Sequence, residues 1–202
     1  MRKKSIPQSH NQTDVTQRIL EAAGQLFADK GFDATSISDI TEASGVGRGL
    51  LYYYFKNKRS LYEAVLQDGA ERMFMISERA YAFKGTVLER LRNFIVEFHQ
   101  LHIDRPNIMR VGMRAEFEGS LVSATQAPEG FQQMSSMLQR IIEEGIERGE
   151  LRSIEPEKTV HIIMGIIHSL NVMCIQGVSS QCPNEDIEFA MSILAKGIAT
   201  CK

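Results

Sequence analysis

Arg48, Tyr52, Tyr53, Tyr54, Lys56, Lys58 and Arg59 lie within one short stretch, GVGRGLLYYYFKNKRSL, immediately behind Gly45, Gly47 and Gly49. These side chains offer hydrogen-bond donors and fixed positive charge. A tyrosine is a flat apolar body whose hydroxyl donates to a phosphate oxygen, and lysine and arginine supply charge at the same end. Glycines at the start of a helix let a partner approach free backbone N–H groups and the positive end of the helix dipole. The combination suits a nucleic-acid backbone. The competing reading is an aromatic-rich amphipathic helix packed on its neighbours.

Other chemistry is thin. The chain has no G-x-x-x-x-G-K-[ST], H-E-x-x-H or G-x-S-x-G motif, so an enzyme is the weaker class. His99 and His102 stand three residues apart, His161 and His168 seven apart, with Glu97 and Glu116 as the nearest carboxylates. That ligand set is too small for a metal site, so no metal and no cofactor are expected. Cys174, Cys182 and Cys201 form no C-x-x-C pair, which fits a reducing cytoplasm. No apolar run follows the basic N-terminus, so no secretory signal is read.

Charge is uneven. Residues 1–60 carry nine Lys and Arg against six Asp and Glu, and residues 61–202 carry fourteen against nineteen. A basic front half suits a polyanionic partner. Residues 159–184 contain no charge, the formal mark of a membrane-helix candidate. His161, His168, Ser169, Asn171 and Gln176 are spread around that helix, and no basic cluster flanks it, so no membrane span is expected.

The elements that must position the tyrosines are helical. Asp14, with Gln17 three residues on, reads as a capping box opening a helix. Val15, Ile19, Ala22, Ala23, Leu26 and Phe27 form its apolar stripe, and Gly31 ends it. Thr35 or Ser36, the latter with Asp39 three residues on, caps a second short helix that Gly45 stops. A tight glycine turn then leads to the tyrosine helix, making a helix-turn-helix. On that helix, at about 100° per residue, Leu51 and Phe55 share the inner face. Gly49, Tyr52 and Tyr53 point away, and Tyr54 sits on the flank. Further helices are expected near 57–83, 86–103, 105–118, 128–149, 156–178 and 184–201.

The segment from Val15 to Leu66 resembles the N-terminal domain of the TetR family of bacterial transcriptional repressors. The resemblance rests on Ile19-Leu20, Ala22-Ala23, Leu26-Phe27, Gly31, Thr35, Ile40, Ala43, Gly45-Val46, Leu51-Tyr52, Tyr54-Phe55 and Lys58. It implies that Thr35 or Ser36 meets a phosphate. It further implies that Gly47, Arg48, Gly49 and Leu50 form the base-reading start of the recognition helix, and that Tyr52, Tyr54 and Lys58 hold phosphates, with Tyr53 beside them. Gly47 stands where a Ser cap is common and Leu50 where a small residue is common, so Leu50 touches at most a thymine methyl.

The resemblance also implies an all-α chain: a basic arm over 1–13, a DNA-binding domain over 14–62, and an effector-binding and dimerisation domain over 63–202. The implied partners are double-stranded operator DNA, a small apolar effector and a second copy of the chain. The expected dimer interface is built by the helices near 156–178 and 184–201; the first is apolar on more than one side, with Ile163, Ile166, Ile167 and Leu170 the expected contacts. Phe94, Phe98, Met109, Met113, Phe117, Met134, Met137 and Met164 suit an adaptable pocket or a plain core, with His168 and Asn171 as polar anchors. Glu97, Glu116 and Glu118 leave room for a cationic ligand.

Overall fold

The structure is a computed structural model and describes residues 10–117, 128–178 and 183–199. Among these the elements are α1 (His10–Ala34), α2 (Ile37–Ser44), α3 (Arg48–Tyr54), α4 (Lys58–Ala82), α5 (Val87–Asp104), α6 (Pro106–Phe117), α7 (Glu129–Glu147), α8 (Pro156–Ile175) and α9 (Pro183–Ile198). The protein is all-α, as expected.

The chain divides into two compact units. The first holds the described residues up to Gly69 together with α6 from Asn107. The stripe on α1 buries Ile19, Ala23 and Phe27 against Ile40 of α2, Leu51 and Phe55, and Leu61, Tyr62 and Val65 of α4. Phe27, Phe32 and Tyr62 form an edge-on and tilted ring cluster with centroids 5.0–6.0 Å apart. Val111 and Ala115 of α6 complete this core. So α6, expected in the second domain, packs in the first unit. The start of α1 also differs. The helix begins at His10, inside the expected arm, and Asp14 lies within it. The expected capping box is absent, and the Gln17 side chain donates to Glu21 one turn on. Gly31, at φ 83°, interrupts α1, a conformation only glycine adopts without strain.

The second unit holds Ala70–Pro106 and the described residues from 128 onward. Leu91, Phe94, Ile95 and Phe98 of α5 pack with Met134, Leu138, Ile141 and Ile142 of α7 and Ile163 and Ile167 of α8. Gly130 is required here, because a Cβ would fall 2.6 Å from the Ala70 carbonyl oxygen. Arg90, only 3% exposed, donates to the Ala80 and Tyr81 carbonyls at the end of α4 and to Glu144 of α7. Tyr81 lies between the guanidinium groups of Arg90 and Arg140 and donates its hydroxyl proton to Glu144. Arg90, then Tyr81, hold the Glu144 carboxyl below its usual range.

Candidate functional site

The candidate DNA-facing surface is built on α2, the turn after it, and α3. Ser36 caps α2: its side chain accepts from the Asp39 N–H while the Asp39 carboxylate accepts from the Ser36 N–H. The Ser36 backbone N–H is the main reason the Asp39 carboxyl stays below its usual range. Gly45 ends α2 in the left-handed region at φ 64°, and the Arg18 guanidinium donates to the Ser44 carbonyl beside it. Val46 plugs the turn into the core. Together these contacts fix the direction in which α3 leaves.

Leu51 and Phe55 are buried, while Leu50, Tyr52 and Tyr53 are 43%, 41% and 73% exposed. Tyr54 is half-buried on the flank, its ring edge-on to Tyr53. The exposed Arg48 guanidinium lies over the Tyr52 ring, 5.7 Å from its centroid. Gly47 caps α3 without a side-chain hydrogen bond. Neither Gly47 nor Gly49 has a positive φ, and among the described residues a Cβ on either would meet no atom within 4 Å beyond its chain neighbours and its own helix. Nothing among the described residues demands glycine at these two positions.

Two expected phosphate contacts are already engaged. Thr35 is 1% exposed, and its hydroxyl donates to the Gly31 and Leu26 carbonyls. Of the pair Thr35 and Ser36, only Ser36 faces outward. The Lys58 ammonium donates to the carbonyls of Phe32, Asp33 and Thr35 and lies 4.4 Å from the Phe32 ring centroid. It uses all three of its donors to close the end of α1, where a cation also meets the helix dipole favourably. Lys56 remains exposed nearby. Lys58→Met should therefore destabilise the first unit by about 1–3 kcal/mol, the cost of charge-assisted bonds to backbone. The salt slope of DNA binding should stay unchanged. Unchanged stability with a slope lower by about one would return Lys58 to phosphate binding.

The expected ligand residues do not form one set. Met109 and Met113 are on α6 in the first unit, and the Phe117 side chain lies outside the described residues. In the second unit Phe94, Phe98 and Met134 are core, at 2% exposure or less, and Met137, Met164 and His168 are half-buried. Glu97 pairs with Arg79 at 2.7 Å. Glu116 and Glu118 lie outside the residues whose side chains are described. One cleft of about 460 Å³ is lined by Tyr81, Phe83, Lys84, Arg90, Glu144 and Arg148, a polar setting apart from the Met and Phe residues. Among the described residues no group of three or more metal-ligating side chains is assembled, and no helix is long and apolar enough to cross a membrane.

Asn171 is buried, and its Oδ1 accepts from His99 Nδ1 at 2.8 Å. His102 donates Nδ1–H to the Phe98 carbonyl. Burial is the main force pushing the His102 imidazole down to about 4, with His99 and His168 adding repulsion against the Phe98 bond. A base depressed in the folded state binds its proton more readily when unfolded. Stability from His102 is therefore complete above 6.5 and falls as pH drops from 6.5 to about 4. Melting at pH 7 and pH 5 should show a larger acid loss in the native chain than in His102→Phe. An equal loss would assign the acid sensitivity to other groups.

The expected dimer contacts need correction. Ile163, Ile167 and Leu170 are 0%, 1% and 6% exposed within a single chain, and Ile166 is half-buried. They face the chain's own core. The exposed apolar side chains are Ile162 of α8 (60%) and Phe189 (69%) and Ile193 (57%) of α9. Gly165 and Ser169 are exposed on the Ile162 side of α8. Phe189 and Ile193, four residues apart on a helix with Ser192 and Lys196, are the large apolar residues of the expected 184–201 interface helix that stand exposed.

Comparison with known proteins places this geometry. Residues 19–65 match the family model for bacterial regulatory proteins of the tetR family, and residues 84–172 match that for the tetracyclin repressor-like C-terminal domain. The chain is 26% identical over 165 residues to the HTH-type transcriptional regulator YhgD of Bacillus subtilis, spanning 78% of this chain and 82% of the relative. It is 25% identical over 150 residues to the HTH-type transcriptional repressor KstR2 of Mycolicibacterium smegmatis, spanning 74% and 72%. Its fold superposes on a TetR family transcription regulator from Marinobacter aquaeolei with a TM-score of 0.79 at 22% identity, covering 95% of this chain and 99% of the other. A gamma-butyrolactone receptor (ArpA-like protein) gives 0.75 at 19% identity, with 94% and 90% covered.

Proposed function

The chain belongs to the tetR family of bacterial regulatory proteins and is a transcriptional regulator, not an enzyme, and from that premise we propose that it binds a near-palindromic operator as a homodimer, represses, and leaves the DNA when a small, mainly apolar effector enters the second unit. The carrying observation is the outer face of α3. Arg48, Leu50, Tyr52 and Tyr53 are all exposed there, beside two glycines that the fold itself does not need. Ser36, Tyr52, Tyr54 and Lys56 are the phosphate-facing groups, and Arg48 reads base edges.

Dimerisation is read from Ile162, Phe189 and Ile193, whose exposed apolar surface suits an isologous contact. A twofold pair would set its recognition helices about 34–36 Å apart, one turn of B-DNA or a multiple of it. Effector control needs a ligand that favours a state with misplaced recognition helices. α4 supports that reading, because Lys58–Gly69 belongs to the first unit and Ala70–Ala82 continues into the second.

The test is selection of bound sequences from random duplex DNA, followed by affinity measurement across salt. A near-palindrome with two equal half-sites, bound less tightly as salt rises, is the expected result. Recovery of no enriched sequence, with no duplex shifted at low salt, would remove the function.

A further inference from the structure

The strongest unassigned feature of the second unit is the Asn171 side chain. It is 2% exposed on α8, and its Oδ1 is held by His99 of α5. Its Nδ2 is buried with no hydrogen-bond partner among the described residues. A buried donor left unmade is costly, and native interiors avoid it unless something else meets the group. The surroundings are aromatic and imidazole. The Phe98 ring lies 5.2 Å from His102 and 5.5 Å from Phe94.

We propose that Asn171 is the polar anchor of the effector site, donating Nδ2–H to the carbonyl oxygen of an otherwise apolar, uncharged molecule such as a ketone, ester or lactone. This rests on reading the second unit as effector-binding. His99 is the positioning residue: by donating to Oδ1 it fixes which end of the amide is offered. The carbonyl accepts from the otherwise unpartnered Nδ2 group, and the apolar remainder lies among the side chains of α5, α7 and α8. An ionised ligand fits poorly. The same burial that keeps His102 neutral penalises an ionised carboxylate brought into this interior, at high cost.

Methyl nonyl ketone, undecane and undecanoate share a chain length and differ at the head. Titration calorimetry on the full-length protein should show the ketone binding more tightly than either of the others. Asn171→Leu should weaken the ketone by about tenfold, the usual worth of a buried hydrogen bond, and leave undecane within about twofold. In NMR spectra of isotope-labelled native protein, the Asn171 side-chain amide should move downfield on ketone addition. That measurement decides the matter if the leucine variant does not fold. Equal ketone affinity in a folded Asn171→Leu variant, or an unmoved amide resonance on saturation, would overturn the anchor. Undecanoate binding as tightly as the ketone would overturn the uncharged assignment. If the ketone binds and only the anchor readouts fail, the effector reading survives. If none of the three binds, the effector reading falls and the anchor falls with it.

Discussion

Phe189→Glu combined with Ile193→Glu should give a well-folded monomer that binds operator DNA about a thousandfold more weakly. Both side chains are exposed on α9 in the single chain, at 69% and 57%. Glutamate at these positions costs the fold little, and exposed substitutions generally change stability by less than about 0.5 kcal/mol. In a dimer the same positions become a dry contact, where unpaired carboxylates are expensive. Two half-sites bound by one tethered pair gain from an effective concentration of about millimolar. Dividing that by a micromolar half-site affinity gives the thousandfold. Sedimentation should show one chain per particle, and the melt should remain cooperative. A double variant that still sediments as a dimer would refute the α8–α9 surface. Ile167→Glu makes the contrast: at 1% exposure within its own chain, it should unfold the second unit rather than split a dimer.

That contrast marks where the sequence stops being informative. Around residues 156–178 it is apolar on several sides, so one side must be surplus to the chain's own core. Which side is surplus depends on where α5, α7 and α9 press, and no spacing rule within one helix contains that. The helix-turn-helix was readable because its signals are local. Ser36 and Asp39 cap each other within one turn, Gly45 must adopt a positive φ, and Leu51 and Phe55 point inward by helical period alone. Long-range contacts were hidden. Lys58 looked like a free cation, yet it closes α1 from 23 to 26 residues away. Thr35 looked like a helix-start hydroxyl, yet it is bonded back into α1. Asp14 and Gln17 had the spacing of a cap, but helical hydrogen bonding was already running through them. Nothing local in α6 tells that Val111 and Ala115 find their apolar partners in the first unit. The pairing of Arg90 with Glu144, 54 residues apart, left no local mark at all.

Arg48→Ala should relax sequence preference while leaving much of the non-specific affinity. Of the residues at the start of α3, Gly47 and Gly49 have no side chain and Leu50 offers no hydrogen bond, which leaves Arg48 as the donor that can fork onto a guanine edge. Its position is prepared. Tyr52, one turn on, carries the guanidinium against its ring, which limits the rotamers that binding must freeze. One such base contact is worth about 1–3 kcal/mol of discrimination. A palindrome read by two copies loses it twice, so the ratio of operator to random-sequence affinity should fall by at least about thirtyfold. Tyr52→Phe provides the control. It keeps the ring under Arg48 and removes only the hydroxyl, so affinity should drop by a similar factor for every sequence, as loss of a phosphate contact requires. Anisotropy titrations with the selected operator and a scrambled duplex separate the two behaviours. If Arg48→Ala lowers both affinities equally, Arg48 is a phosphate contact, and base reading must be sought in the shape of the DNA or in Leu50 against a thymine methyl.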